Sequence, residues 1–162
     1  MLAIHDTARI SPLADIEDSL RGSRIVVGEG SAIDSFVKIK PAGGSGDLLI
    51  GRHCVINSGT VIYTGNGVVI GDHVAIAANC TLAPVNHRVE RRDRLIRQQG
   101  FMPSRGGITI EDDVWLGANV VLLDGAVLGR GCVIAAGSLV RGAVAPYTIN
   151  AGNPLRIIGY RR

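Results

Sequence analysis

Residues 110–140 read IEDDVWLGANVVLLDGAVLGRGCVIAAGSLV, and in them an aliphatic side chain returns at every sixth position: Ile110, Leu116, Leu122, Leu128, Ile134 and Val140. The same column continues upstream through Ile4, Ile10, Ile16, Val27, Ile33, Ile39, Ile50, Ile56, Ile62, Ile70, Ile76 and Leu82, eighteen hexads in all. A period of six is neither the 3.6 of an amphipathic helix nor the 2 of a half-buried strand. A fixed short repeat marks a solenoid whose units stack along one axis. The period fits a parallel β-helix in which each hexad supplies one short strand and a corner, three hexads closing one triangular coil.

Two further columns fall in the same register for separate physical reasons. Four residues after each aliphatic position stands a small or β-branched residue: Ala8, Ala14, Ser31, Val37, Cys54, Thr60, Val74, Cys80, Val114, Val120, Ala126, Cys132 and Ser138. A narrow prism that takes one large and one small side chain per face demands that alternation. Three residues after it stand Gly30, His53, Gly59, His73, Asn79, Asp113, Asn119, Gly125, Gly131 and Gly137. These residue types tolerate positive φ best, so the column predicts a left-handed corner repeated around the coil.

Composition sets bounds. The 162 residues form one domain, 1–162, with 22 glycines for tight corners and only 4% aromatics, which suits a narrow interior. No run of about twenty apolar residues could span a membrane, and the first residues lack the basic start and apolar stretch of a signal peptide. A cytoplasmic protein is expected. Cys54, Cys80 and Cys132 all fall in the small column and read as core residues; an odd count without C-x-x-C spacing fits neither a disulfide framework nor a zinc site.

The formal charge is +3, and arginine carries most of the positive side. Arg88, Arg91, Arg92, Arg94, Arg97 and Arg105 cluster in one segment, and Arg156, Arg161 and Arg162 lie at the end. Such runs are either solvated faces or sites for an anionic ligand, since the guanidinium fork suits phosphate. Nucleic acid is not expected, because no aromatic residues interleave as stacking platforms. The period slips at 21–26, 43–49 and around Gly65-Asn66-Gly67, which predicts bulged, flexible, exposed corners. It breaks outright from Asn86 to Gly107. Loops of about twenty residues are uncommon and usually functional or disordered, and the apolar Leu95, Ile96, Phe101 and Met102 suggest that this one packs on something, such as a neighbouring subunit.

The combination of Ile70-Gly71-Asp72-His73-Val74, Asn86-His87, Ile110-Glu111-Asp112-Asp113-Val114-Trp115-Leu116-Gly117, Ala136-Gly137-Ser138-Leu139-Val140 and Ala151-Gly152-Asn153-Pro154-Leu155-Arg156 resembles the hexapeptide-repeat acyltransferases, a likeness that covers the whole chain. Within them it is most similar to the galactoside, maltose and xenobiotic O-acetyltransferase branch. The resemblance implies a left-handed parallel β-helix of about six coils, an exception to the usual right-handed crossover. It also implies acetyl transfer from acetyl-CoA to a hydroxyl, and three parallel prisms with a catalytic cleft between neighbours.

The alcohol must lose a proton as it attacks the thioester, and an imidazole is suited to take it at neutral pH. Four histidines compete. His5 reads as surface, and His53 and His73 occupy the corner column. His87 alone lies outside the repeat, at the mouth of the long loop, and matches the family's catalytic histidine. The resemblance further assigns Asn57, Asn86 and Trp115 to the acceptor, although Asn57 also reads as a side chain capping its coil. It assigns Trp115, Gly117, Ala118, Ala135 and Ala136 to the pantetheine arm, and Arg141 and Arg156 to the phosphates of CoA. Departures are visible: Gly142 stands where galactoside-type enzymes have Lys, Thr64 and Gly65 stand where they have acidic residues, and hexads begin at Ile4, where those relatives have a helical segment. A different acceptor pocket is therefore expected, with no metal.

A polysaccharide or nucleotide-sugar acceptor suits so short a chain, with an antibiotic, or N-acetylation, as the alternative. A γ-class carbonic anhydrase would need a zinc site of three histidines, including an H-x4-H pair that His53, His73 and His87 do not supply. A non-catalytic scaffold would explain neither the loop histidine nor Trp115. Six coils at a strand spacing of about 4.8 Å predict a prism roughly 29 Å long.

Overall fold

The structure, a computed structural model, describes residues 1–162. Its first three coils consist of β1 (Leu2–Ile4), β2 (Arg9–Ile10) and β3 (Asp15–Ile16); β4 (Ile25–Val27), β5 (Ala32–Ile33) and β6 (Lys38–Lys40); and β7 (Leu48–Ile50), β8 (Val55–Ile56) and β9 (Val61–Tyr63). The next three are β10 (Val68–Ile70), β11 (Ala75–Ile76) and β12 (Thr81–Ala83); β13 (Ile108–Ile110), β14 (Trp115–Leu116) and β15 (Val121–Leu123); and β16 (Val127–Leu128), β17 (Val133–Ile134) and β18 (Leu139–Val140). Then β19 (Ala143–Val144) and β20 (Thr148–Ala151) begin a seventh turn, and β21 (Arg156–Tyr160) doubles back antiparallel on β20. The expected short tail is thus a strand that extends the second face by one antiparallel member.

Every third strand belongs to the same sheet. The first face runs β1-β4-β7-β10-β13-β16-β19, the second β2-β5-β8-β11-β14-β17-β20-β21 and the third β3-β6-β9-β12-β15-β18. This is the left-handed parallel β-helix. The aliphatic column is in register across coils: Val27 pairs with Ile50, Ile50 with Ile70, Ile70 with Ile110 and Ile110 with Leu128. From Val27 onward its members, with the apolar ones of the small column and Ile25, Leu48, Val68, Ile108 and Val144, form one buried cluster of 28 residues. Buried hydroxyls and thiols of the small column reach the next coil: Ser31 Oγ donates to Gly51 O, Cys54 Sγ to Gly71 O and Cys80 Sγ to Gly117 O. All three cysteines are free and buried, and burial pushes the Cys132 thiol up to about 11. No helix is long and apolar enough to cross a membrane.

All ten corner residues have positive φ, from Gly30 at 64° and His53 at 55° to Gly137 at 71°. Two bulky residues that no propensity would place there share the register: Phe36 at 63° and Tyr147 at 58°. Tyr147 is accommodated because its ring lies over Gly131, where a Cβ would stand 2.7 Å from the ring carbon Cδ1.

The period slips differ from expectation. All of them, together with the large break, lie at one edge of the prism, where the third face turns into the first. They are not uniformly exposed bulges: Thr64 and Gly65 are buried. Glycine permits close approach of successive coils, so Gly65 N donates to Ala42 O (3.1 Å), Gly46 N to Gly65 O (2.9 Å) and Ile108 N to Gly67 O (3.0 Å). Irregularity in one coil is therefore paired with irregularity in the next.

Segment 86–107 leaves from that edge as an arm. Its base is a two-stranded ribbon in which His87 bridges Phe101, Met102 N donates to Asn86 O (2.8 Å) and Arg88 N to Gly100 O (3.0 Å). Its tip holds one 3-10 turn, Ile96–Gln98. Gln99 braces the tip, accepting from Arg91 N and donating to Arg91 O and Arg94 O. Leu95 and Ile96 remain 64% and 55% exposed, so within one chain the arm's apolar residues have nothing to cover them.

Candidate active site

His87 sits at the base of the arm with its ring tilted against Phe101, centroids 4.8 Å apart. It opens on a cavity of about 270 Å³ whose other walls are Ala42, Gly43, Tyr63, Ala83, Val85 and Phe101. Val85 forms its floor, lodged between two glycines: a Cβ on Gly43 would stand 2.8 Å from Val85 Cγ2, and one on Gly65 2.7 Å from Val85 Cγ1. The imidazole makes no hydrogen bond within the chain, so both nitrogens are free for a substrate. Asn86 contributes its carbonyl to the ribbon.

The arm's return leg is held by a residue that no sequence pattern singled out. Asp124, only 2% exposed, accepts from Arg105 N (2.8 Å), Gly107 N (2.9 Å) and Asn66 Nδ2 (3.3 Å). Its Asp-Gly pair reads in sequence as an ordinary corner. Phe101, Tyr63 and Val85 escaped notice too, because only folding brings them to the histidine.

Other sequence-assigned residues lie elsewhere. Trp115 projects from the second face, 52% exposed, between Ala75 and Val133 on the adjacent strands. Gly117 and Ala118 form the next corner, and Ala135 and Ala136 the same corner one coil on. They are so close that a Cβ on Gly117 would stand 2.6 Å from Ala136 N. Arg141 lines a cavity of about 420 Å³ at the C-terminal end, with Asn150, Asn153, Pro154 and Leu155. Arg156 is the neighbour of Leu155 on β21. Both arginines are exposed and paired with no carboxylate, whereas Arg161 is held by Asp113 at 2.8 Å, which removes it from the expected anion site. Arg91 is likewise paired, with Asp93.

Asn57 stands at the corner after β8, where its Nδ2 donates to Ile76 O (2.7 Å). Of its two sequence readings this is the cap, and it does not line the His87 cavity. His53 and His73 stack on each other at the first-to-second corner, centroids 5.2 Å apart. They do not converge with His87, and no group of three or more His, Cys, Asp or Glu is arranged to hold a metal.

Within one chain, then, the candidate halves are separate. Asn86 and His87 lie at the third-to-first edge, and Gly117, Ala118, Ala135 and Ala136 at the second-to-third edge. The width of the third face, about 10 Å of strand, lies between.

Sequence comparison agrees with the coil geometry. The description "Bacterial transferase hexapeptide (six repeats)" matches residues 107–142, and "Hexapeptide repeat of succinyl-transferase" matches residues 48–84. The chain belongs to the hexapeptide-repeat acyltransferases. It is 39% identical over 112 residues to galactoside O-acetyltransferase of Escherichia coli, covering 69% of this chain and 53% of that one. A hexapeptide-repeat acetyltransferase of Vibrio cholerae, solved with acetyl coenzyme A, superposes with a TM-score of 0.65 at 28% identity, over 84% of this chain and 70% of that one. AntD, an N-acyltransferase from Bacillus cereus solved with dTDP and 3-hydroxybutyryl-CoA, shares the fold (TM-score 0.79, 20% identity, 99% of this chain and 83% of that one). The chain spans about half the length of curated relatives it matches, 38%, 53% and 65% for three of them.

Proposed function

We propose that this protein transfers the acetyl group of acetyl-CoA to a hydroxyl of a sugar, as a cytoplasmic enzyme of surface-polysaccharide biosynthesis that works as a cyclic trimer with active sites between subunits. One observation carries the reading: an unpartnered imidazole at the mouth of a sugar-sized cavity, on the edge opposite a run of small residues able to lie against an extended pantetheine. His87 of one subunit then meets CoA on the neighbour's edge, and the bare apolar residues of the arm supply the contact. Trp115 flanks the pantetheine, and two unpaired cations, Arg141 on the end cavity and Arg156 next to its Leu155 wall, receive phosphates.

In the reaction, a His87 nitrogen takes the proton of the acceptor hydroxyl as its oxygen bonds to the thioester carbonyl carbon. The tetrahedral oxyanion collapses, the carbon–sulfur bond breaks, and the leaving thiolate takes the proton from the imidazolium. The products are the acetyl ester and CoA.

His87→Ala should lower kcat by about 10²–10⁴. Acetyl-CoA should still quench the emission of Trp115, the single tryptophan. Steady-state kinetics showing less than a tenfold loss would reject His87 as the base, and an unchanged emission would reject the CoA edge.

A further inference from the structure

Resting on the acetyl-transfer reading, we infer that the cavity beside His87 selects an uncharged acceptor ring with an apolar side, a 6-deoxyhexose unit, over the corresponding hexose, amino sugar or uronic acid. The walls are Ala42, Gly43, Ala83, Val85 and Phe101, and apart from His87 itself the only polar side chain among them is Tyr63. The charges nearby are committed. Lys40, beside Tyr63 on the adjoining strand, is paired with Glu17 at 3.1 Å. Asp124 is occupied by its three N–H donors. Thr64 has its hydroxyl buried. Arg88, Arg91 and Arg94 open on a separate cavity with Glu90 and Gln99. Arg88 follows His87 in the ribbon, where successive side chains point to opposite faces.

A hexopyranose brings several hydroxyls into this space. One is the nucleophile at His87 and a second can meet the Tyr63 hydroxyl. Any other turned toward Ala42, Ala83, Val85 or Phe101 gives up water without a partner. A methyl in place of the hydroxymethyl removes that loss and covers apolar wall. Among the walls this chain supplies, an ammonium finds no carboxylate and a uronate no free cation. The cavity, about 270 Å³, falls below the roughly 300–1,000 Å³ of drug-sized sites and suits a single ring.

The test compares acceptors that differ only at C6, D-fucosides against D-galactosides and D-quinovosides against D-glucosides, with a glucosaminide and a glucuronide as charged controls. The 6-deoxy member should have the higher kcat/KM by about 10–100-fold, the range that one misplaced group against an apolar wall produces. Equal or better turnover of the hexoses or the charged sugars overturns the inference while leaving acetyl transfer intact. No turnover of any acceptor also overturns it, and quenching of Trp115 by acetyl-CoA then decides separately whether the broader reading survives. Ala83→Ser and Val85→Thr each place a hydroxyl in the wall with little change of volume. At least one should narrow the ratio within a pair, and a ratio unmoved by both removes this cavity as the determinant.

Discussion

Seven residues that carry a Cβ hold a left-handed backbone in this chain, from Phe36 to Tyr147, each against a penalty of roughly 1–2 kcal/mol. Their surroundings offset it. The His53 and His73 rings stack, and the Tyr147 ring lies on Gly131. Alongside them runs a ladder of carboxylates that accept N–H groups from the preceding coil: Asp72 from Arg52 (2.7 Å) and Asp112 from Asp72 (2.8 Å). The Arg52 guanidinium, and then its backbone N–H, hold the Asp72 carboxyl below the usual carboxylate range, and the backbone N–H and guanidinium of Arg24 do the same for Asp47. A depressed folded pKa stabilises above the unfolded value of about 3.9, and that stability is lost as pH falls through the folded one. Thermal melting should therefore be flat from neutrality to about pH 5 and fall below about pH 4, with Asp72→Asn melting lower at neutral pH and losing less on acidification. Parallel losses in both proteins would place the acid sensitivity elsewhere. The corner column was readable because Gly, Asn, Asp and His advertise positive φ. Phe36 and Tyr147 were not, since what tolerates them is a neighbouring coil.

At the scale of elements, the arm is the departure from regularity that matters. Where it leaves the repeat was legible from the failed period at Asn86. That its edge also collects every smaller slip was recoverable as well, since the breaks follow Ile16, Ile39, Ile62 and Leu82, every third hexad. How the arm is held was not, because Asp124 acts through space on Arg105, Gly107 and Asn66. Asp124→Asn keeps one carbonyl oxygen but turns an NH2 toward N–H donors, at a loss of about 1–3 kcal/mol. At about 2–4 °C per kcal/mol for a chain of this size, Tm should fall by roughly 2–12 °C. Amide exchange at 100–107 should quicken more than in the coils, and KM for the acceptor should rise more than kcat falls. Uniform quickening across the chain would make Asp124 an ordinary core residue rather than a positioning residue for the arm.

Over the whole molecule, the prism keeps apart the two groups that the proposed acetyl transfer must bring together. A single chain holds His87 on one edge and the small-residue run of Gly117 and Ala136 on another. Light scattering should give a mass three times that of the 17.0 kDa chain. Co-expression of His87→Ala with Ala136→Trp should restore activity, because under random assortment roughly a quarter of all interfaces, one in each mixed trimer, would pair an intact histidine with an intact edge. A monomer, or mixed assemblies as inactive as either parent, would reject shared sites.

By itself the sequence determined the first six coils, the inside and outside of their strands, the corner residues other than Phe36 and Tyr147, and the histidine that stands apart. A six-residue period encodes local register, and local register dictates which side chain points inward. Only the tertiary structure decided that His87 leans on Phe101 over an apolar cavity, that Val85 lodges between Gly43 and Gly65, that Asp124 clamps the arm, and that β21 turns back beside β20. Those contacts join residues from different coils, and their distances follow from how coils stack rather than from any spacing along the chain.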